Sequence, residues 1–250
     1  MMAWNSSRQM AAAKASAAIF FILLAGAVAG AQALSVMPVT IPLSPGQKAT
    51  SLTITNKGTV ETAVQIRPYA WSQKSDKGDI QLTATDMVVL SPPIARIAPG
   101  ASQVVRLILR MTPETQEATY RILIDQVPPP AEAGVVHVVL RLNIPIFAPP
   151  PIRSHSDVQF HLERDADRIN LVAINPGNLH DVVRDIALMT SDGRKLEVEP
   201  GATPYILSGA TRRWRIVLKE PLPLQADELR LTAKTDAGVI DEQVRFAAAR

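Results

Sequence analysis

Residues 135–147, VVHVVLRLNIPIF, decide how the first half of this chain folds. Every even-numbered residue in the stretch is apolar, whereas the odd-numbered ones combine valine with His137, Arg141, Asn143 and Pro145. A period of two with β-branched residues predicts a β-strand that has one continuously apolar face. The periodicity alone allows that face to pack in the protein's own core or to bind a partner.

The first 33 residues have the pattern of a secretory signal peptide. Arg8 and Lys14 provide a basic start, residues 17–29 form an apolar run, and residues 31–33 offer small side chains for cleavage. The run is shorter than the roughly 18 to 20 apolar residues that a transmembrane helix needs. We therefore expect an exported protein whose mature chain starts near Leu34.

The composition argues against several classes of protein. The formal net charge is +3, and Arg8 and Lys14 of the predicted signal peptide contribute two of those charges. Without a basic tract interleaved with aromatic residues, the chain lacks the pattern of a nucleic-acid-binding protein. The sequence contains no cysteine, so an exported fold must form without disulfides.

The remaining sequence predicts an all-β protein with two Ig-like β-sandwich domains. Short β-branched runs alternate with turn signals such as Asn56-Lys57-Gly58 and Asp192-Gly193. Three consecutive prolines, residues 149–151, interrupt the pattern and favour a stiff joint with a cleft between the domains. The predicted boundaries are a signal peptide at 1–33, a first domain at 34–148, a proline-rich linker at 149–156 and a second domain at 157–250.

Sequence signatures of catalysis are missing. The chain has no G-x-S-x-G, G-x-x-x-x-G-K, G-x-G-x-x-G or H-E-x-x-H motif, and its four histidines are not spaced like a zinc pair. His155 and Asp157 are expected to be a solvated pair in the linker, and Trp71 and Trp214 to pack in a core or cleft. We therefore expect a binding protein without a cofactor or metal, and not an enzyme.

The order of several motifs resembles the periplasmic pilus chaperones of the chaperone-usher pathway, the PapD-like proteins. In the first half these motifs are NKG at 56–58, Trp71, SPPIARIAPGASQVVRLIL at 91–109, YRILIDQVPPP at 120–130 and RLNIPIF at 141–147. In the second half they are NLVAINPGN at 170–178, DGRKL at 192–196 and YILSGATRRWRI at 205–216. The combination of SPP at 91–93, P-G-x-x-Q-x-x-R at 99–106 and Tyr120-Arg121 resembles the archaic, spore-coat-U-like branch.

The resemblance implies two domains in a boomerang arrangement and a function in donor-strand complementation. In that mechanism the chaperone lends its G strand to a pilin-like subunit that lacks a strand, which is a form of β-augmentation. The even-numbered face of the opening stretch would then enter the subunit's groove. The residues of this predicted donor face are Val136, Val138, Leu140, Leu142, Ile144 and Ile146.

The sequence departs from the family at the site that anchors the subunit's C-terminal carboxylate. Conventional members use an arginine on the first strand and a lysine on the G strand, but this chain has Thr40 and Pro145 at those positions. Our candidates for the anchor are Arg121 on the F strand, Arg141 on the G strand and Arg106. Counting from the turn near residue 130 places Arg121 and Arg141 roughly opposite each other, so that both guanidiniums would reach one carboxylate.

The resemblance predicts a periplasmic chaperone whose partners are pilin-like subunits and an outer-membrane usher. The mature chain is not expected to insert into a membrane or to bind nucleic acid. Two other classes remain open: a structural fimbrial or adhesive subunit of Ig character, and a periplasmic hydrolase or sugar-binding enzyme. A self-assembling subunit would carry a detachable N-terminal extension, whereas SVMPVTIPL at 35–43 is expected to be an integral strand.

Overall fold

The computed structural model describes residues 34–73, 80–128, 130, 134, 138–165, 168–201, 203–218 and 228–247. These residues form strands, turns and bends without a helix, which confirms the all-β prediction. The predicted signal peptide, residues 1–33, and Val136 of the predicted donor face lie outside the described residues. In the described part of the chain, no helix is long and apolar enough to cross a membrane.

Two sheets pack face to face in the first domain. Their strands are β1 (Leu34–Met37), β2 (Ile41–Pro42), β3 (Ala49–Asn56), β4 (Thr62–Gln73), β5 (Ile80–Ala84), β6 (Val88–Ser91), β7 (Ile94–Ile97), β8 (Ser102–Leu109), β9 (Ala118–Gln126) and β10 (Arg141–Ala148). One sheet has the order β1-β3-β8-β6, and the other has the order β2-β10-β9-β4-β5 with β7 beside β4. Alternation along the strands fills the core, as in β8, where Val105, Leu107 and Leu109 are buried while Val104 and Ile108 face solvent.

The start of the chain contributes to both sheets of this domain. The segment expected to be a single strand is divided at residues 38–40: β1 pairs antiparallel with β3, and β2 pairs parallel with β10. Beyond β2, the backbone N–H of Leu43 donates to the carbonyl of Phe147 at 2.8 Å. The first strands are therefore integral parts of the domain.

The second domain is a sheet that bends until its first and last strands meet. Its strands are β11 (Gln159–Asp165), β12 (Arg168–Ile174), β13 (Asp181–Val182), β14 (Arg184–Met189), β15 (Lys195–Val198), β16 (Tyr205–Ile206), β17 (Thr211–Val217), β18 (Glu228–Thr235) and β19 (Gly238–Arg245). The main sheet has the order β11-β12-β17-β15-β14-β18-β19, and β13 and β16 form a separate pair. Just after β19, the N–H of Ala247 donates to the carbonyl of Leu162 at 2.8 Å, which joins the two ends.

A buried asparagine stabilises a tight turn in each domain. Asn56 donates to the carbonyls of Val60 and Ile97 and accepts from the N–H of Gly58. In the second domain Asn175 donates to the carbonyl of Leu179 and accepts from the N–H of Gly177. Because both side chains are almost completely buried, these bonds satisfy polar groups that water does not reach.

Glycine is required in the second of these turns by the path of the linker. A Cβ built on Gly177 would lie 2.6 Å from the carbonyl oxygen of His155 and 2.7 Å from the backbone nitrogen of Asp157. The backbone of Asn178 also donates to the carbonyl of His155 at 3.1 Å. The turn therefore holds the linker close to the second domain.

Aromatic residues from the first domain complete the core of the second. Trp71 of β4 and Phe147 of β10 belong to the buried apolar cluster that the second domain forms. The ring of Phe147 stacks on His180 with centroids 3.6 Å apart and an angle of 8°, and it also contacts Tyr205 at 5.2 Å. The end of β10 thus connects the two domains directly.

Hydrogen bonds surround this aromatic contact. Glu117 accepts from the backbone N–H of His180 at 2.9 Å, and His180 Nδ1 lies 2.7 Å from the same carboxylate oxygen. The N–H of Glu117 donates to the carbonyl of Asn178, and Gln116 donates to Ser208 Oγ at 2.8 Å. These contacts fix the position of one domain on the other.

We predict that Phe147→Ala lowers the free energy of unfolding by about 3–5 kcal/mol, because it removes a fully buried ring from the contact between the domains. Urea denaturation followed by intrinsic fluorescence measures the change. Val239→Ala, at a side chain that is 73% exposed, is the control and should change stability by less than about 0.5 kcal/mol. A loss below about 1 kcal/mol for Phe147→Ala would contradict the assigned role of the ring.

Candidate functional site

The opening stretch forms an edge of the first domain's second sheet. Antiparallel pairing with β9 runs from Arg141 to Ala148, but β2 covers the other side of β10 only at Ile146 and Phe147. Among the described residues, no strand pairs with the outer edge of residues 141–145. The backbone groups on that edge are therefore available to another chain.

The residues before β10 expose apolar side chains. Val138 is 82% exposed, Val139 is also exposed, and Leu140 is half-buried. This exposed segment, residues 138–140, is held to the sheet at one end, where the N–H of Gln126 donates to the carbonyl of Leu140 at 2.9 Å. A solvent-exposed aliphatic segment that continues an open strand edge is suited to strand addition.

The structure corrects part of the predicted donor face. Ile144 and Ile146 are buried in the first domain's own core, and Leu142 is partly buried against that core. Side chains two residues apart point to the same side of a sheet, but the opposing sheet covers only the C-terminal end of β10. Ile144 and Ile146 are therefore not available to a partner, whereas Val138 and Leu140 remain predicted partner-binding residues.

The predicted pairing of Arg121 with Arg141 is wrong. Pro145 lies opposite Arg121, and Arg141 lies opposite Asp125, so the two arginines are four residues apart in register. Arg141 forms an ion pair with Asp125 and does not face the cleft between the domains. The two guanidiniums consequently cannot share one small anion.

Arg106 lies on a different sheet from the other two candidates. It belongs to β8, opposite Ser51 and Ser91, and its side chain is exposed on the outer face of the four-stranded sheet. The cleft between the domains is lined by other residues. The structure therefore removes Arg106 from the candidates for a cleft anchor.

Arg121 lies in the cleft between the two domains. The cleft has a volume of about 330 Å³, and its lining includes Thr40, Arg121, Asn143, Pro145 and Tyr205. Thr40 and Pro145, which the resemblance aligns with the conventional basic pair, thus border the same space as Arg121. An arginine on the neighbouring strand, directly opposite Pro145, supplies the positive charge of the cleft.

The Arg121 side chain is buried without an anionic partner. It is only 7% exposed, and its guanidinium carbon lies 3.7 Å from the ring centroid of Trp71. Nη1 donates to Asn143 Oδ1 at 3.3 Å, while the buried Nε has no hydrogen-bond partner. Within the described residues Arg121 forms no ion pair with a carboxylate, and burial lowers its pKa by removing water from the charged form.

This arrangement is suited to bind a carboxylate. A guanidinium offers parallel N–H donors that match two carboxylate oxygens, and such charge-assisted bonds are stronger than neutral ones. The stack on Trp71 fixes the plane of the guanidinium, and the buried donor at Nε is still unsatisfied.

No group of three or more potential metal ligands occurs in the described part of the chain.

The base of the exposed segment is held by two arginines on one carboxylate. Asp125 accepts from Arg67 of β4 at 2.6 Å and from Arg141 of β10, so three adjacent strands are joined on one face. Burial alone would raise the pKa of Asp125, but the hydrogen bonds and charges of Arg141 and Arg67 lower it overall. This network fixes β10 at the residue where it leaves the sheet.

Sequence reasoning missed three residues of the site. The sequence pattern indicates Asn143 only as a polar residue of the strand, and it does not distinguish Gln73 or Tyr205 from their neighbours. Gln73 and Tyr205 meet across the cleft although they are 132 positions apart in the chain. No local pattern indicates such a contact, because it depends on how the two domains pack.

Comparisons with known proteins identify the first domain and the overall fold. Residues 33–152 match the family described as "Pili and flagellar-assembly chaperone, PapD N-terminal domain". No curated protein sequence gives a significant match.

Among solved structures, the chain is similar to a chain of the complex between the chaperone CsuC and the tip adhesion subunit CsuE, from the archaic chaperone-usher Csu pili of Acinetobacter baumannii. The identity is 20%, the TM-score is 0.62, and the match covers 86% of this chain and 98% of that chain. The E. coli chaperone DraB matches with 17% identity and a TM-score of 0.54, over 88% of this chain and 97% of that chain.

The Salmonella enterica complex of the SafA pilin with the SafB chaperone contains a chain that matches with 13% identity and a TM-score of 0.55, over 86% of this chain and 96% of that chain. At these identities the similarity shows the fold, which is that of the two-domain, Ig-like pilus chaperones.

We predict that Asp125→Asn lowers the free energy of unfolding by about 1 kcal/mol at pH 7, because two arginines lose their shared anion. The pKa of Asp125 is depressed in the fold, so this contribution is fully present above the unfolded pKa of about 3.9 and is lost as the pH falls through the folded pKa. Urea denaturation between pH 7 and pH 3 measures the difference.

Asp241→Asn is the matched control, because Asp241 pairs with Arg230 on an exposed surface. Its loss of stability should be smaller than that of Asp125→Asn. An Asp125→Asn difference that is the same at pH 7 and pH 3 would contradict the assigned role of the carboxylate charge.

Proposed function

Because the first domain of this chain belongs to the PapD N-terminal family of pili and flagellar-assembly chaperones, we propose that the protein is a non-enzymatic chaperone of pilin-like subunits. The observation that carries the proposal is the open edge of β10 at residues 141–145, continued by the exposed segment, residues 138–140. The protein would lend this edge to a subunit that lacks a strand. Binding would protect the subunit from aggregation through its own unpaired edges.

Strand addition explains why this segment is apolar yet uncovered. The subunit would form main-chain hydrogen bonds with the outer edge of β10, while Val138 and Leu140 would enter its groove. Burial of these two side chains would contribute roughly 3–6 kcal/mol before the cost of ordering the partner. Val136 continues the same alternation in the sequence and is proposed as a third residue of the contact.

The cleft would fix the register of the bound subunit. We propose that Arg121 binds the C-terminal carboxylate of the subunit, in place of the arginine and lysine that conventional members use. Asn143 holds one terminal nitrogen of the guanidinium, and Trp71 supports its face. A chain end bound here lies beside Pro145, below the open edge of β10.

We place this function in the periplasm, reached through the predicted signal peptide at residues 1–33. The protein would deliver its subunits to an outer-membrane usher. Release would follow when the donor strand of the next subunit replaces the exposed segment. A structural fimbrial subunit is the less consistent alternative, because β1 and β2 are integral to the first domain.

The double variant Val138→Glu/Leu140→Glu should fold normally and lose at least about 100-fold in affinity for a subunit, because two charges would enter an apolar groove. Co-expression with candidate small exported subunits, followed by pull-down, identifies the partner. Titration calorimetry then measures its affinity, and hydrogen exchange should show protection of residues 138–144 in the complex. Val239→Glu is the matched control on an exposed valine of β19.

Unchanged subunit binding by the double variant, with circular dichroism showing a folded protein, would refute strand donation by this segment.

Two of the candidate arginines, Arg121 and Arg106, test the proposed carboxylate anchor. Arg121→Ala should weaken subunit binding by roughly 10–100-fold, because a charge-assisted hydrogen-bonded pair is lost. Arg106→Ala should bind like the wild type, since Arg106 is exposed on the opposite sheet. Equal affinities for the two variants, measured by titration calorimetry, would show that the anchor lies elsewhere.

A further inference from the structure

The face of Arg121 is supported by aromatic rings from both domains. Trp71 of the first domain stacks under the guanidinium, and Tyr205 of the second domain lies edge-on to Trp71 with centroids 5.5 Å apart at 86°. The guanidinium carbon is itself 5.7 Å from the Tyr205 ring. The position of Tyr205 therefore determines how tightly the arginine is enclosed.

A glutamine of the first domain helps to hold Tyr205 in this place. Gln73 lies two residues after Trp71 on β4, and its side chain is buried on the same side of the strand. Its Nε2 donates to the carbonyl of Tyr205 at 2.8 Å, and its Oε1 accepts from the N–H of Leu207 at 2.9 Å. The amide thus binds the backbone on both sides of Ile206, as a neighbouring strand would.

This contact adds the first domain to the support of β16, whose carbonyls also accept side-chain hydrogen bonds from Asn175 and Arg212 of the second domain. β16 contains only Tyr205 and Ile206, and it pairs with the equally short β13. Without the glutamine amide, the N–H of Leu207 would lose its partner, and the carbonyl of Tyr205 would keep only the longer hydrogen bond from Arg212 Nη1 at 3.2 Å. Gln73 is therefore the direct polar connection between the strand that carries Trp71 and the strand that carries Tyr205.

We infer that Gln73 is a positioning residue for the carboxylate anchor: it fixes Tyr205 against Trp71, so the second domain sets the geometry with which Arg121 binds a chain end. This inference rests on the proposed function of Arg121. Its consequence is that selectivity for a free carboxylate depends on contact between the domains, although the charge comes from the first domain alone. A glutamine that served only to join the domains would leave that selectivity unchanged.

The probe is a pair of small chain-end analogues, N-acetylvaline and N-acetylvalinamide, which differ only in the terminal charge. Valine suits the cleft because Val39, Ile80 and Pro145 provide apolar walls. Titrations of the full-length mature protein, followed by the backbone ¹⁵N–¹H signals of residues 143 and 205 in the cleft, give a dissociation constant for each compound. The ratio of the two constants reports the selectivity for carboxylate.

The wild type should prefer the acid by about tenfold, as expected for one charge-assisted contact. Gln73→Leu should lower this ratio by at least about threefold and shift the Arg121 Nε signal of the free protein. Gln116→Leu is the matched control, because Gln116 also donates across the domains but reaches Ser208 instead of Tyr205. It should keep the wild-type ratio.

The outcomes separate this inference from the proposed function. A wild-type ratio near one, or a ratio unaffected by Arg121→Ala, refutes the anchor and the inference together. If Gln73→Leu keeps the same ratio as the wild type, the inference alone is overturned. The same holds if Gln116→Leu lowers the ratio as much as Gln73→Leu does. If Gln73→Leu does not fold, Tyr205→Leu is measured in its place. This variant keeps the backbone contacts of the glutamine and removes the ring. A ratio equal to that of the wild type in Tyr205→Leu also overturns the inference.

Discussion

The antiparallel pairing of β10 with β9 is the constraint on which the rest of the site depends. Its register places Arg121 opposite Pro145 in the cleft and Arg141 opposite Asp125 at the upper end of the strand. Because β2 covers β10 only at Ile146 and Phe147, the same ladder leaves the outer edge of residues 141–145 open. This pair of strands thus contains the buried C-terminal half of β10, the arginine of the cleft and an open edge that is suited to strand addition.

The two halves of β10 show the limit of reasoning from periodicity. The alternation in residues 135–147 predicts a strand and one apolar side correctly, and the structure confirms the strand over Arg141–Ala148. It does not indicate where the core ends along that side, because this depends on how far the opposing sheet extends. Ile146 and Val138 follow the same pattern, yet one is completely buried and the other is 82% exposed.

The register of the hairpin also lies beyond local reasoning. Counting from a turn near residue 130 predicts Arg141 opposite Arg121, whereas the partner of Arg121 in the structure is Pro145. A hairpin register follows from the sequence only when a short turn of defined type fixes it. Here the described ladder between β9 and β10 ends at Asp125 and Arg141, so the long connection gives no such rule. The resemblance to pilus chaperones identified the fold, but it gave no indication of Gln73 or Tyr205.

At Arg121, a costly arrangement in the free protein would produce the proposed selectivity. A buried guanidinium without an anion is unfavourable, and the stack on Trp71 and the bond to Asn143 offset only part of that cost. A carboxylate bound in the cleft would offset the remaining cost by pairing with the charge. A neutral group would leave the buried charge uncompensated, so the proposed site would discriminate through the penalty for the wrong ligand as well as through the attraction of the right one. Such discrimination would require the guanidinium to stay in place when no ligand is bound, and the rings of Trp71 and Tyr205, one from each domain, would meet this requirement.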